Sequence, residues 1–359
     1  MAATEVPSLR WGIVGCGLIS SWFVSDLLLS RADAPTKHIL QCVGSSSIEK
    51  GTAFLQKHAP TVAQTTKVYA SYAEVYNDPD VDIVYIGTPH ALHLKNGLAA
   101  IAAGKNVLCE KPMTINAKEA DVLVKAAREK GVYLMEAVWT RFFPIVASLQ
   151  DLIHKQQIIG RISRGFIDIG LDMPLASLPS DSRTTDPALG AGALLDIGIY
   201  TLTWASLIFG TSPTVLSSAN PKPRITSSMS LVGGVDEMST VILNYEAAAM
   251  QAICTCSMRA KSSPRFARIE GEKGTVWVCG VSASKPGYLI VELKGEEEKT
   301  IDFPVEGWGF HFEADAVAAD LRAGRRESAV CELDVTRGMM ELMDNVRKQN
   351  GLHYTQDSN

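Results

Sequence analysis

The feature that most constrains this chain is Gly15-Cys16-Gly17-Leu18-Ile19-Ser20, set between an apolar run, Leu9 to Val14, and a helical stretch. In that setting the first glycine makes a tight turn and the second lets the backbone approach a pyrophosphate. The amides of Leu18 and Ile19, at the start of the helix, can then hold the anion. A ligand-free tight turn would use its glycines in the same way, so the loop takes its meaning from the rest of the chain. Apolar runs recur at Ile39 to Val43, Val81 to Ile86, Asn106 to Cys109 and Val132 to Met135, separated by segments long enough to cross over as helices. This alternation predicts βαβ units and a doubly wound parallel sheet. Two of the helices announce their starts: Ser71 with Glu74, and Asn116 with Glu119, have the spacing at which a cap oxygen and a carboxylate satisfy the first amides.

A chain of 359 residues has room for a second domain at roughly 150 residues each. After about Trp139 the pattern changes to period two, as in Glu237 to Tyr245 and Met250 to Met258, with the turn Gly271-Glu272-Lys273-Gly274. That texture predicts a mostly antiparallel sheet with a few helices laid on it. Ala314 to Arg322 and Thr336 to Arg347 read as late helices. The expected division is a dinucleotide-binding domain over residues 1–137 and an α/β domain for substrate binding and oligomerisation over 138–359.

Charge and cysteine usage exclude several functions. The net charge of -5, with both signs scattered, gives no electrostatic footprint for nucleic acid or an anionic membrane. The segment Gly192 to Gly210 is nearly apolar but holds Asp196, which suits a helix lining a site better than a membrane span. Seven cysteines without CxxC or histidine-rich spacing predict neither a metal site nor a disulfide framework, and favour a reducing compartment. With no apolar or basic leader in Met1 to Arg10, the expected location is the cytoplasm.

The second strand ends in Gly44-Ser45-Ser46-Ser47, followed by Glu49 and Lys50. Hydroxyls at this point, with Lys50 adding charge, accept a 2′-phosphate where a carboxylate would repel it, so NADP is favoured over NAD. The same serines can cap the next helix. Thr88-Pro89-His90, with His93, and Glu110-Lys111-Pro112 follow strands at the edge where a doubly wound sheet binds its ligand. Further on, Asp196 and Tyr200 lie four residues apart on one helix face. A tyrosine titrates near pH 10 in model compounds, so it needs a nearby cation to act as a base at neutral pH, and Lys111 is the candidate.

This combination resembles the glucose-fructose oxidoreductase/inositol dehydrogenase (Gfo/Idh/MocA) family of NAD(P)-dependent enzymes. The resemblance runs over most of the chain: the glycine loop, Thr88-Pro89 with His93, Glu110-Lys111-Pro112, the run from 192 to 200, and Glu313-Ala314. Tyr200, where inositol dehydrogenases carry histidine, is similar to the branch of dimeric dihydrodiol dehydrogenase and the NADP-dependent D-xylose 1-dehydrogenases. So is Met135 to Pro144, in which Trp139 and Arg141 would lie near nicotinamide and substrate. The chain departs from the mammalian dihydrodiol enzymes at Ser46, where those carry arginine.

The resemblance implies an N-terminal Rossmann domain and a C-terminal α/β domain whose open, mostly antiparallel sheet pairs with a second copy as a homodimer. It implies catalysis without metal, with Tyr200 as base, Lys111 assisting and Asp196 orienting. Trp139 and Phe166 are expected to form an apolar wall, with Asp168, Asp196 and Tyr200 as acceptors, a mixture suited to a ring bearing several hydroxyls. The expected reaction is NADP-linked oxidation of an aldopyranose, foremost D-xylose, at C1 to the lactone. Oxidation of a trans-dihydrodiol or another polyol is the alternative. A non-catalytic NADP-binding regulator fits less well, because such proteins lose the lysine and the base, and both are present here.

Overall fold

The computed structural model describes residues 6–179, 182–210 and 222–358. It contains two compact units, Met1–Trp139 with Glu306–Arg337, and Thr140–Val305 with Gly338–Asn359. The contiguous division at 137/138 expected from the sequence gives way to a discontinuous one, because 306–337 packs with the first unit. Asp26 accepts the backbone N–H groups of Trp308, Gly309 and Phe310, and Trp22 stacks on Trp308 at 4.3 Å. Glu136 accepts the Thr336 hydroxyl at 2.8 Å.

The strands of the first unit are β1 (Ser8–Val14), β2 (Lys37–Gly44), β3 (Lys67–Tyr69), β4 (Ile83–Ile86), β5 (Asn106–Glu110) and β6 (Leu134–Ala137). They form one parallel sheet in the order β3-β2-β1-β4-β5-β6. The order reverses between β1 and β4, which opens the crevice where such sheets bind ligands. All of β4, Ile83-Val84-Tyr85-Ile86, is buried, as expected of a parallel strand covered on both faces. Helices α1 (Leu18–Leu27), α2 (Ile48–His58), α3 (Tyr72–Asn77), α4 (His93–Ala102) and α5 (Ala117–Lys130) make the crossovers. The Asn116 side chain caps α5 by accepting the Glu119 N–H at 2.9 Å. At α3, Glu74 accepts the Ser71 N–H and hydroxyl at 3.2 and 2.8 Å.

The second unit begins with α6 (Pro144–Gln150) and β7 (Ile162–Gly170). A helical segment then runs from 194 to 210, as a π turn (Leu194–Gly198), an α-helix α7 (Ile199–Ala205) and a second π turn (Ser206–Gly210). After it come β8 (Arg224–Val232), β9 (Val235–Tyr245), β10 (Met250–Ser257), β11 (Arg265–Gly271), β12 (Gly274–Ser282), β13 (Lys285–Leu293) and β14 (Lys299–Asp302). The sheet order is β14-β13-β12-β11-β7-β10-β9-β8, antiparallel except for the β7/β10 pair. In chain order, α8 (Phe310–Arg322) and the start of α9 (Leu333–Gln349) then belong to the first unit, and the rest of α9 to the second.

The 194–210 segment lies on one face of this sheet. Cys254 Sγ contacts the Thr201 carbonyl at 3.5 Å, and a Cβ at Gly165 would come within 2.8 Å of the Phe209 ring. The apolar stretch Pro187–Gly210 is long enough to cross a membrane, yet 94% of the residues in its 18-residue apolar window are buried within the fold. On the other face Phe166 lies under the guanidinium groups of Arg164 and Arg268, at 4.8 and 4.5 Å, beside a depression of about 240 Å³ that also meets Trp277.

Candidate active site

In the first unit, Gly15 has a φ of +93°, and a Cβ there would come within 2.9 Å of the Gly87 carbonyl oxygen. Only glycine fits between β1 and the end of β4. Gly17 caps α1 without a side chain, and no acidic residue occupies the first turn. The amides of Leu18 and Ile19 therefore stand at the positive end of a helix with no side-chain cap, and Leu18 is 66% exposed. Buried close by, Ser20 Oγ has no hydrogen-bond partner among the described residues. This cradle fits a pyrophosphate.

A cavity of about 420 Å³ opens where the loop meets the end of β2, lined by Cys16, Ser45, Ser46, Lys50, Lys57 and His58 among others, none of them acidic. The three serines have separate tasks. Ser47 caps α2, accepting the Lys50 N–H at 3.3 Å, while Lys50 Nζ donates to Ser46 Oγ at 3.2 Å. Ser45 is buried, its N–H bonded to the Tyr69 carbonyl. Lys57 and His58 escape a reading of the sequence by motif, although positions 50, 54 and 57 share a helical face with Ser47 as cap, which was the available signal. Burial, followed by the Lys57 charge, lowers the His58 pKa from its ordinary value.

The ends of β4 and β5 are tied together by His93, which is fully buried. One ring nitrogen meets the Thr88 carbonyl at 2.8 Å and the other the Pro112 carbonyl at 2.9 Å. His93 is thus a strut between the Thr88-Pro89-His90 turn and the Glu110-Lys111-Pro112 turn. Asn96 adds a bond to Thr88 Oγ1 at 3.2 Å. Glu110 accepts the Tyr85 hydroxyl at 2.6 Å and the Lys111 N–H at 3.2 Å. Burial pushes its carboxyl up to about 7, against the opposing Lys111 charge. Glu313, on α8, is buried with neither carboxyl oxygen bonded among the described residues, and burial, with the Glu110 and Asp26 charges, raises it well above the carboxylate range. Lys111 itself is 8% exposed. Trp139 stacks on Phe310 at 4.3 Å.

In the second unit Asp196 sits inside the π turn and Tyr200 in the first turn of α7, both buried. Arg183 donates to Asp196 Oδ1 at 3.3 Å. Arg141 is buried, and its Nε has no hydrogen-bond partner among the described residues. Phe166 and Asp168, expected in the substrate set, are not brought together with Asp196 and Tyr200. They alternate with Ile167 and Ile169 along β7, so they point to the sheet face away from the 194–210 segment, and Asp168 is engaged by the Thr255 hydroxyl at 2.6 Å. Period two was readable in the sequence, but not which face the helix would cover.

The profile of an oxidoreductase family with an NAD-binding Rossmann fold matches residues 9–138, and that of the Gfo/Idh/MocA C-terminal domain matches residues 146–277. The chain belongs to the Gfo/Idh/MocA family. Similarity to individual members of that family runs along its whole length. It is 34% identical to D-xylose 1-dehydrogenase (NADP(+)) of Hypocrea jecorina, over 99% of this chain and 95% of that one. It is 36% identical to trans-1,2-dihydrobenzene-1,2-diol dehydrogenase of Homo sapiens, over 98% and 99%. Among solved structures, levoglucosan dehydrogenase in complex with NADH and levoglucosan superposes with a TM-score of 0.80 at 17% identity, covering 96% of this chain and 97% of that one. A 3-ketoreductase from Actinomadura kijaniata, bound to NADP and TDP-benzene, gives 0.78 at 21%, covering 95% and 97%. At such identities these structures establish a shared fold.

Proposed function

We propose that this protein catalyses the NADP-linked oxidation of an aldopyranose, foremost D-xylose, at C1. The observation that carries the reading is similarity at 34% identity spanning both the glycine-loop unit and the Asp196–Tyr200 helix, to a protein named for that reaction and that cofactor. The cavity at the end of β2 supports it, since Ser46, Lys50, Lys57 and His58 line it without any carboxylate. Gly15, Gly17 and the amides of Leu18 and Ile19 would hold the pyrophosphate, and Ser46 with Lys50 the 2′-phosphate. Trp139 and Arg141 would flank the reacting end. When bound, the nicotinamide supplies the acceptor for a hydride.

Tyr200 would take the proton of the C1 hydroxyl. Its phenol ordinarily titrates near pH 10, so in this reading it needs a cation to favour the deprotonated form, the part the family resemblance gives to Lys111. Asp196 orients the sugar or the phenol. C1 already carries the ring oxygen, so the product is a lactone. The open sheet face around Phe166, Arg268 and Trp277 is the surface through which a homodimer would form. A cytoplasmic, reducing location suits seven cysteines that form no disulfide.

The 36% identity to the human diol enzyme favours a second reading, the trans-dihydrodiol. An initial-rate panel of D-xylose, D-glucose, inositol and a trans-dihydrodiol, each with NADP and with NAD, tests both. D-xylose with NADP is expected to give the highest kcat/KM. A diol or inositol ahead of every aldose would overturn the sugar assignment, and NAD ahead of NADP by tenfold would overturn the cofactor assignment, a difference of about 1.4 kcal/mol.

A further inference from the structure

Beyond α9 the chain doubles back onto the loop that leads into the Asp196–Tyr200 helix. Tyr354, 3% exposed, donates its hydroxyl to the carbonyl of Ala191. Two residues on, Gln356 Nε2 donates to the carbonyl of Ala188 at 3.0 Å. This segment is itself held in shape. Asp357 accepts the Tyr354 N–H at 2.9 Å and two bonds from Arg347, at 2.7 and 3.1 Å. The same guanidinium, 3% exposed, donates to Asp344 at 2.6 Å, and its face lies 4.9 Å from the centre of the Tyr354 ring.

The loop is gripped from its other side by β9. Asp236 accepts the Leu194 N–H at 2.7 Å and the Ser239 hydroxyl at 2.6 Å. Gly192 has a φ of +116°, and a Cβ there would meet Asp236 Oδ1 at 2.3 Å, so the backbone between Ala191 and Leu194 is pressed directly against that carboxylate. The chain then enters a π turn, Leu194–Gly198, a rare conformation that is frequent at functional sites. A π turn changes the direction in which every later side chain leaves the helix. Its start must therefore be fixed by contacts outside the helix if Asp196 and Tyr200 are to point reproducibly.

We propose that the segment Tyr354–Asp357, braced by Arg347, is a positioning element for catalysis: by fixing the Ala188 and Ala191 carbonyls it sets where the π turn begins and so where Asp196 and Tyr200 are aimed. The inference rests on the reading of Tyr200 as the base. Errors of about 1 Å in a reacting group can cost up to roughly a hundredfold in rate. Loss of one of several restraints is expected to cost less.

Tyr354→Phe keeps the ring beneath Arg347 and removes only the donor to Ala191. Gln356→Ala, at a surface position, removes the second bond with little risk to folding. Both are assayed with the fastest substrate of the panel above, with active sites counted by NADP binding and melting temperature recorded. The expected result is a fall in kcat of about tenfold for Tyr354→Phe and a smaller fall for Gln356→Ala, with NADP affinity unchanged. Wild-type kcat per site in both variants, with only the melting temperature lowered, would overturn the proposal and leave the segment a plain stabilising contact. Tyr200→Phe is assayed in parallel. If it is inactive while the segment variants are not, positioning fails and the base reading stands; if it is fully active, the base reading fails and the inference with it.

Discussion

The two units present chemistry in different ways. In the first, the candidate cofactor residues follow parallel strands: Gly15 and Gly17 after β1, Ser46 after β2, Thr88 after β4 and Lys111 after β5. In the second, Asp196 and Tyr200 come from a helix laid flat on a mostly antiparallel sheet. A parallel strand buried on both faces has no side chain free for a ligand, so its chemistry moves to the loop at its carboxyl end. An antiparallel strand has one face to spare, and what covers the other face becomes the working element. One site type is thus dictated by chain direction and the other by layer order.

The largest effect that tests this comparison is catalytic. Tyr200→Phe and Lys111→Met should each lower kcat by about 10²–10⁴-fold, and the double variant should cost little beyond either single one, as residues acting as a unit do. Single-turnover rates measure this directly. Fully additive losses would mean that the strand-end lysine and the helix tyrosine work independently, and the joint assignment would fail.

A second effect separates the buried acids of the first unit from its surface. Glu110 sits at about 7 instead of its ordinary 4.5, chiefly through burial. The folded state therefore holds this proton more tightly than the unfolded state. Its favourable contribution is complete below about 4.5 and is lost as pH rises through about 7. The shift corresponds to about 3 kcal/mol at 1.36 kcal/mol per unit. Urea titrations of the cofactor-free protein from pH 4.5 to 8 should show Glu110→Gln gaining stability relative to the parent as pH rises. Parallel curves for the two proteins would show that Glu110 stays ionised throughout, held by Lys111 and the Tyr85 hydroxyl.

What the sequence disclosed divides in the same way. The glycine loop, the caps at Ser71 and Asn116 and the strands β1, β2, β4, β5, β6, β9 and β10 were readable, because local chemistry fixes each of them. β3 was missed, since three residues, Lys67 to Tyr69, show no period. The return of 306–337 to the first unit was invisible too. Helical periodicity in Ala314 to Arg322 says that one face is buried but not against which sheet, and the decisive contact, Asp26 accepting the amides of Trp308 to Phe310, joins residues almost a whole chain apart. Lys57 and His58 could have been found from their helical spacing to Lys50. Phe166 and Asp168 could not have been placed, because alternation assigns residues to two faces without naming the covered one.

That ambiguity yields the smallest and most discriminating test. Asp168 is bonded to Thr255 on the open face of the sheet, while Asp196 projects from the helix on the covered face, with Arg183 as partner. If layer order decides where the work is done, Asp196→Asn removes a charged acceptor from the substrate site. A charge-assisted hydrogen bond contributes about 1.5–3 kcal/mol, so kcat/KM for the sugar should fall roughly ten- to a hundredfold. Asp168→Asn keeps an oxygen that can accept from the Thr255 hydroxyl, loses only the charge, and should change kcat/KM by less than about twofold, within the range of a substitution outside the site. Initial rates at subsaturating sugar and saturating NADP read both. The opposite ranking, with Asp168→Asn crippled and Asp196→Asn spared, would put the sugar on the open face, and the helix would then be a packing element instead of the working one.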